Sequence, residues 1–246
     1  MREILQRVGS DIAALLFPRR CVICGRRLAK VEHEICTSCF SCLPLTRRKG
    51  KPGNGLERLF WRRINIVRAN ALLRYESGAD SRRLVLGLKY FDHPEIGVMF
   101  GRIMARDLEE TDFFKDIDFI IPVPLARKRM KKRGYNQSER LAQGVSDITH
   151  IPVLNDAVIR YVETPTQTRL AISERKENVH NIFHLERPAV VNGKHVLLID
   201  DVLTTGSTIL SLAEEISKGG DVRFSILTLC EAGHHPEGIT LKTYDK

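Results

Sequence analysis

The chain of 246 residues contains no run of 18 apolar residues, so we expect no segment that spans a membrane. It also lacks a conventional export signal, because Arg7, Ser10 and Asp11 interrupt the apolar residues near its start. The apolar residues of positions 1–17 instead recur at helical spacing, which predicts an amphipathic helix. We expect this helix to pack on the body of the protein in preference to lying on a membrane surface. We therefore expect a cytoplasmic location.

Internal repeats and low-complexity tails are absent, and aromatic residues make up only 7% of the chain. Hydrophobic residues make up 43%, which is enough for one α/β domain with a core and a small appendage. The net charge of +9 is consistent with anionic partners such as nucleic acid or phosphorylated metabolites.

Cysteine is scarce outside one short region. Cys230 ends an apolar segment and is most simply a buried core thiol, whereas the other five cysteines lie between positions 21 and 42. Two C-x2-C pairs separated by eleven residues predict a structural Zn²⁺ site, with four thiolate ligands at Cys21, Cys24, Cys36 and Cys39. Cys42 repeats the spacing after Cys39 and is an alternative fourth ligand.

The GxxxxGK[ST] loop of nucleoside triphosphatases is absent, but residues 196–208 (VLLIDDVLTTGST) form a different phosphate-binding pattern. After an apolar strand, the carboxylates of Asp200 and Asp201 can accept hydrogen bonds from ribose hydroxyls. Backbone N–H groups and hydroxyls can then hold a phosphate at the start of a helix, and the candidates are Thr204, Thr205, Gly206, Ser207 and Thr208. An ordinary strand-to-helix turn with an acidic N-cap is the alternative, which the complete string disfavours.

From position 117 onward, strand-like and helical patterns alternate, which predicts a parallel sheet flanked by helices. Before it, a basic, turn-rich stretch (TRRKGKPGNG) is typical of a linker or mobile loop. We thus predict four segments: an amphipathic helix at 1–17, a zinc module at 18–45, a linker or loop at 46–63 and an α/β domain at 64–246.

Two polar stretches are candidates for lining the phosphate site. A proline-constrained turn at 122–124 precedes a basic loop with six cations in the seven residues 127–133, which suits either pyrophosphate or nucleic acid. The nucleic-acid candidates are Arg129, Lys131, Lys132 and Arg133. The long segment 162–180 is either a surface loop or a cationic lid, with lid candidates Arg169, Arg175 and Lys176. Sequence logic alone makes Lys89 only a surface residue.

In combination, these motifs resemble the ComF family of competence-associated, phosphoribosyltransferase-like proteins. The resemblance runs in order through CVICG and CTSC, GLKY, IPVPLARKRMKKRGYNQSERLA, TPTQTRLAISERKENVHNIF and VLLIDDVLTTGST. It implies a type I phosphoribosyltransferase core that binds phosphoribosyl pyrophosphate (PRPP) with Mg²⁺. It also places the flexible catalytic loop at 162–180 and the pyrophosphate loop after the first core strand, at Pro124, Leu125, Ala126, Arg127 and Lys128.

Three functions are compatible with this sequence. The first is Mg²⁺-dependent phosphoribosyl transfer to an unknown acceptor, with Asp200 and Asp201 at the ribose. The second is binding of single-stranded DNA, with the PRPP site regulatory or inactive; the intact acid pair argues against an inactive site. The third is a zinc-stabilised scaffold that recruits a partner. The family is linked to DNA uptake in natural transformation, which implies a competence helicase or another uptake protein as a partner.

Overall fold

The computed structural model describes residues 18–75, 80–90, 93–161 and 182–233. The amphipathic helix predicted at 1–17 and the polar segment at 162–180 lie outside the described residues. Among the described residues, no helix combines the length and the apolar character needed to cross a membrane.

Within these ranges, four parallel strands form the central sheet in the order β1-β6-β5-β2. Their bounds are β1 Ile66–Arg74, β2 Phe119–Pro122, β5 His195–Leu203 and β6 Arg223–Glu231. A separate antiparallel ribbon pairs β3 (Val158–Arg160) with β4 (Phe183–Leu185). The predicted parallel sheet is confirmed.

Eight helices accompany these strands within the described ranges. They are α1 Thr37–Ser41, α2 Gly55–Arg58, α3 Asp80–Tyr90, α4 Pro94–Leu108, α5 Arg127–Arg133, α6 Gln137–Thr149, α7 Pro188–Val191 and α8 Ser207–Ser217. Alternate residues of β5 divide the core into two layers, because successive strand side chains point to opposite faces. Leu197 and Ile199 pack with α3, α4, α6 and the cysteine module, whereas Val196 and Leu198 pack with α2, α8 and the ribbon.

Helices α4 and α6 approach each other at two glycines. A Cβ atom added to Gly101 would lie 2.1 Å from the carbonyl oxygen of Leu141 and 2.9 Å from the Cα of Gly144. Because real Cβ atoms do not approach backbone this closely, both positions require glycine. This contact holds α6 in a position that places its first turn at the carboxyl edge of the sheet.

Residues 46–63, predicted as a linker or mobile loop, are a packed part of the fold. Asn54 caps α2, since its Oδ1 accepts hydrogen bonds from the backbone N–H groups of Leu56 and Glu57. Leu56 and Phe60 are fully buried in the second core layer. The surrounding lysines, arginines and glycines suggest an exposed segment, so the sequence does not reveal that Leu56 and Phe60 are buried.

The stretch 127–133 is the short helix α5, whereas the sequence interpretation made it a loop. Lysine, arginine and methionine are good helix formers, and Gly134 ends the helix in the left-handed conformation at φ 77°. Asn136 then caps α6 by accepting a hydrogen bond from the Ser138 backbone N–H at 3.1 Å. The motif GYN therefore joins two helices at the carboxyl edge of β2.

Candidate functional site

Asp200 and Asp201 lie within β5, three and two residues before this strand ends at Leu203. Asp200 accepts hydrogen bonds on Oδ1 from the Asp201 backbone N–H at 2.9 Å and from the Ser138 hydroxyl at 3.1 Å. Ser138 is held there by the first turn of α6, and the Asn136 amide donates to the carbonyl of Val123 at the end of β2. The sequence analysis missed Ser138, although it is the second residue after the helix cap Asn136.

Lys89, interpreted from the sequence as a surface residue, reaches the acid pair from α3. Its Nζ lies 2.9 Å from Oδ2 of Asp201, and the two side chains are only 24% and 14% exposed. The hydroxyl of Tyr135 donates to the carbonyl oxygen of Leu88 at 2.7 Å, which fixes this end of α3 against the α5–α6 junction. Residue spacing does not distinguish Lys89 from any other lysine at the end of a helix, and its place in GLKY, a segment of the family resemblance, is the signal that marks it.

The environment of Asp200 disfavours its charged form. Burial, followed by repulsion from Asp201, raises the pKa of Asp200 to about 7, and the charge of Lys89 partly opposes this rise. A carboxylate that changes charge near neutral pH is typical of a functional site, because a folded core rarely keeps such a group without need.

Arg160 of β3 brings a further cation to the acid pair. Its pKa is lowered chiefly by burial and then by the nearby charge of Arg129, whereas the charge of Asp200 raises it. The charges of Arg129 and Asp200 thus both act on Arg160. The sequence analysis had grouped Arg129 with the nucleic-acid candidates and had missed Arg160.

The predicted phosphate loop follows β5 and leads directly into α8. Gly206 has φ 76°, a left-handed conformation, and its carbonyl accepts the Leu210 N–H at 2.8 Å as the helix begins. A small concavity opens here, and its lining includes Asp200, Thr204, Gly206, Ser207 and Thr208. Thr205 is exposed, and its hydroxyl donates to that of Ser207 at 3.2 Å. Four residues of the loop and Asp200 therefore line one space.

The other predicted residues lie around this space to different degrees. Pro124 and Leu125 are half-buried after β2, and Ala126 is buried at the start of α5. The side chains of Arg127, Lys128, Lys131 and Lys132 are exposed, and Arg133 donates to Gln137 at 2.9 Å. The lid candidates Arg169, Arg175 and Lys176 lie outside the described residues.

Four cysteines converge in the module of residues 18–45. One sulfur from each of Cys21, Cys24, Cys36 and Cys39 lies within 4.8 Å of the others, a group that could hold a metal ion. The Sγ atoms of Cys24 and Cys36 are 3.8 Å apart, which exceeds the disulfide distance of about 2.05 Å and suits two ligands of one tetrahedral metal ion. Cys42, the alternative fourth ligand, is exposed and lies outside this group.

The cysteine module packs directly on α3. A Cβ atom added to Gly87 would come within 2.5 Å of Cγ2 of Val22, so the helix touches the module at this glycine. The Arg83 side chain donates to the Ile23 carbonyl at 3.5 Å, two turns before Lys89. The module and the acid pair are therefore linked through one helix.

The phosphoribosyl transferase domain family model matches residues 65–243. The DNA utilization protein YhgH of Escherichia coli O6:H1 (strain CFT073) is 32% identical over 218 residues, which cover 85% of this chain and 89% of that protein. Competence protein F of Haemophilus influenzae is 37% identical over 134 residues, or 53% of this chain and 57% of that protein. The chain therefore belongs to the phosphoribosyltransferase family, and its predicted resemblance to the ComF proteins is confirmed.

A solved structure of the allosteric regulatory enzyme of purine biosynthesis is also similar, at 19% identity and a TM-score of 0.39. That match covers 57% of this chain and 29% of the other, and it is too weak to carry an argument.

Proposed function

We propose that this protein binds PRPP together with Mg²⁺ and transfers the phosphoribosyl group to an acceptor. The observation that carries the proposal is that Asp200 and residues of the loop 204–208 line one concavity at the end of β5. Binding of a ribose phosphate needs two kinds of group close together, namely carboxylates that accept from its hydroxyls and N–H groups that donate to its phosphate.

Each part of the site has a role in this proposal. The loop from Thr204 to Thr208 binds the 5-phosphate at the positive end of α8, and Asp200 and Asp201 hold the ribose. The turn of residues 124–128 binds the pyrophosphate, with Arg129 and Arg160 adding positive charge beside it. Mg²⁺ would be held by pyrophosphate oxygens and the acid pair, and it would neutralise charge on the leaving group. The lid candidates complete the charge neutralisation.

The residues fit these roles in a specific way. Burial and the charge of Asp201 disfavour the charged form of Asp200. A cation that arrives with PRPP would stabilise the charged form of both carboxylates. Lys89 fills part of this deficit before the substrate binds. Holding the ribose still while pyrophosphate leaves is the main contribution that such a scaffold makes to the reaction.

We also propose that the four-cysteine group holds structural Zn²⁺, because thiolate sets of this spacing suit that ion. Its need for reduced thiols supports a cytoplasmic location. The names of the relatives, a DNA utilization protein and a competence protein, support a role in DNA uptake. Single-stranded DNA and a competence helicase or another uptake protein are the corresponding partners. We keep the predicted segments 1–17, 18–45 and 64–246 as part of this proposal, and we assign residues 46–63 to the packed fold and not to a linker.

Calorimetric titration of the purified protein with PRPP, with and without Mg²⁺, tests the proposed function. We expect Mg²⁺-dependent binding that the double variant Asp200→Asn/Asp201→Asn loses while its thermal unfolding stays cooperative. Asp156→Asn is the matched control, since this exposed carboxylate pairs only with Arg187 among the described residues. Absence of PRPP binding by folded wild-type protein would overturn the proposal.

A further inference from the structure

The only tryptophan of the chain lies on the surface. Trp61 is 49% exposed, although the neighbouring Phe60 is fully buried. The Phe60 ring contacts the phosphate loop, since a Cβ atom on Gly206 would lie 2.9 Å from its Cζ. A large indole is therefore displayed beside a rigid anchor, close in the chain to the element that supports Gly206.

Three arginines lie within three residues of this indole in the sequence, and one of them contacts its ring. The Arg58 guanidinium lies over the Trp61 ring at 5.8 Å from its centroid. Arg62 and Arg63 follow immediately and are exposed, and Arg63 lies 4.0 Å from Glu214 at the limit of an ion pair. In the described part of the chain, neither Arg58 nor Arg62 forms an ion pair. Positive charge is therefore concentrated here with little compensation.

The backbone fixes the two arginines that follow the indole. Arg62 has φ 63°, a left-handed conformation that is uncommon outside glycine, asparagine and aspartate. The N–H groups of Arg63 and Ile64 both donate to the Phe60 carbonyl, at 3.1 and 3.3 Å. This closed turn holds the arginines in place beside Trp61 instead of leaving them on a free tail.

We propose that the patch formed by Arg58, Trp61, Arg62 and Arg63 binds single-stranded nucleic acid. A base stacks on the exposed part of the indole, and the arginines contact the adjacent phosphates, the combination that single-strand binding requires. A duplex fits less well, because its bases are already stacked on each other. Charge complementarity favours a polyanion as the occupant, and the patch is distinct from the basic helix α5.

Because Trp61 is the only tryptophan, its fluorescence reports this contact directly. We expect oligothymidylate to quench the emission of the full-length protein, with an affinity that falls as salt rises. Emission that does not change when a labelled oligonucleotide binds, or no binding at low salt, would overturn the proposal.

Variants separate stacking from charge. We expect Trp61→Ala to weaken binding of a fluorescently labelled oligothymidylate about tenfold, and Trp61→Phe to retain most of the affinity, because stacking needs an aromatic face. Arg62→Asn tolerates the left-handed backbone while removing the charge, and it should weaken binding more than Lys115→Asn at an exposed lysine elsewhere.

Two further measurements make the result decisive. Trp61→Ala should bind PRPP as wild type does, so loss of DNA binding alone cannot be attributed to damage at the acid pair. Full DNA affinity in Trp61→Ala, with loss instead in Lys131→Ala/Lys132→Ala, would place the nucleic acid on α5 and overturn the proposal.

Discussion

Lys89 Nζ and Asp201 Oδ2 lie 2.9 Å apart, across the boundary between α3 and the central sheet. The lysine thus supplies a positive charge to an acid pair whose other member, Asp200, is held near its neutral form. The charge of Lys89 therefore acts on both carboxylates before any substrate arrives, and the protonation of Asp200 depends on both Asp201 and Lys89.

PRPP binding should therefore depend on pH through Asp200. The folded-state pKa of Asp200 is raised to about 7, so the carboxyl is neutral below that pH and charged above it. Because a neutral carboxyl cannot attract Mg²⁺, we expect the affinity for Mg²⁺ and PRPP to rise between about pH 6 and about pH 8. Calorimetry across this range measures it.

Asp200→Asn provides the control for that profile, because the phosphates of PRPP also titrate in this range. In this variant, the part of the pH dependence that comes from the PRPP phosphates should remain, and the part that comes from Asp200 should disappear. An identical pH profile in Asp200→Asn and wild type would show that this carboxyl takes no part.

Removing the lysine should shift the same profile. Lys89 lowers the pKa of Asp200, so Lys89→Met should raise it and move the midpoint of PRPP binding to higher pH. Binding should then recover in alkaline buffer. Lys115→Met, at an exposed position outside the site, should leave the midpoint in place. A midpoint in Lys89→Met that stays at the wild-type value contradicts the assigned role.

Loss of the metal should weaken PRPP binding as well as stability. Cys36→Ser removes one of the four clustered sulfurs, and the module it holds packs on α3 through Val22 and Gly87. We expect loss of bound zinc, a lower melting temperature and about a fivefold weaker PRPP affinity, which corresponds to about 1 kcal/mol. Elemental analysis and calorimetry measure both effects.

Cys42→Ser is the matched control, since Cys42 is exposed and lies outside the cluster. It should keep its zinc and its PRPP affinity. Zinc loss in Cys42→Ser with retention in Cys36→Ser would mean that the zinc ligands are not the four clustered cysteines.

The buried ion pair between Arg48 and Glu231 should contribute strongly to stability when one partner alone is removed. Both side chains are 3% exposed, so Arg48→Met leaves a carboxylate without its cation in the interior. Such a change costs about 3–5 kcal/mol. Urea denaturation gives the free energy of unfolding. The double variant Arg48→Met/Glu231→Gln should recover part of the loss, and a double variant less stable than Arg48→Met would refute this explanation.

The contact between α4 and α6 should not accept a methyl group. Gly101→Ala places a Cβ atom 2.1 Å from the Leu141 carbonyl oxygen, so the helices must separate. We expect a loss of about 1–3 kcal/mol, and a melting temperature lower by about 2–4 °C for each kcal/mol. Gln143→Ala, on the exposed side of α6, should change the melting temperature far less.

Local patterns predicted the parts of the site that are contiguous in the sequence. The acid pair, its following loop and the cysteine group each depend on spacing within one short segment. The contributions of Lys89, Ser138 and Arg160 depend on how separate elements pack, and nothing local to these residues marks them. The close approach of Gly101 and Gly144, which seats α6 and hence Ser138, is likewise a tertiary property.

The same distinction explains the error over residues 46–63. A composition rich in lysine, arginine and glycine predicts exposure, but two buried side chains, Leu56 and Phe60, suffice to anchor the segment. Which cysteine is the fourth member of the cluster also depends on tertiary structure, since spacing alone does not choose between Cys39 and Cys42. The packing of α1 places the first in the cluster and the second outside it.

The strand order has a consequence for folding of the chain while the ribosome synthesises it. Edge strand β1 pairs with β6, and Ile66 pairs with Phe224. The ribosome therefore synthesises β1 long before its partner strand exists. At translation speeds of about 5–20 residues per second, this interval lasts on the order of ten seconds. During that time an apolar strand is unpaired and prone to aggregate. The bridge between Leu45 and Leu73 gives β1 one main-chain partner that is synthesised before it.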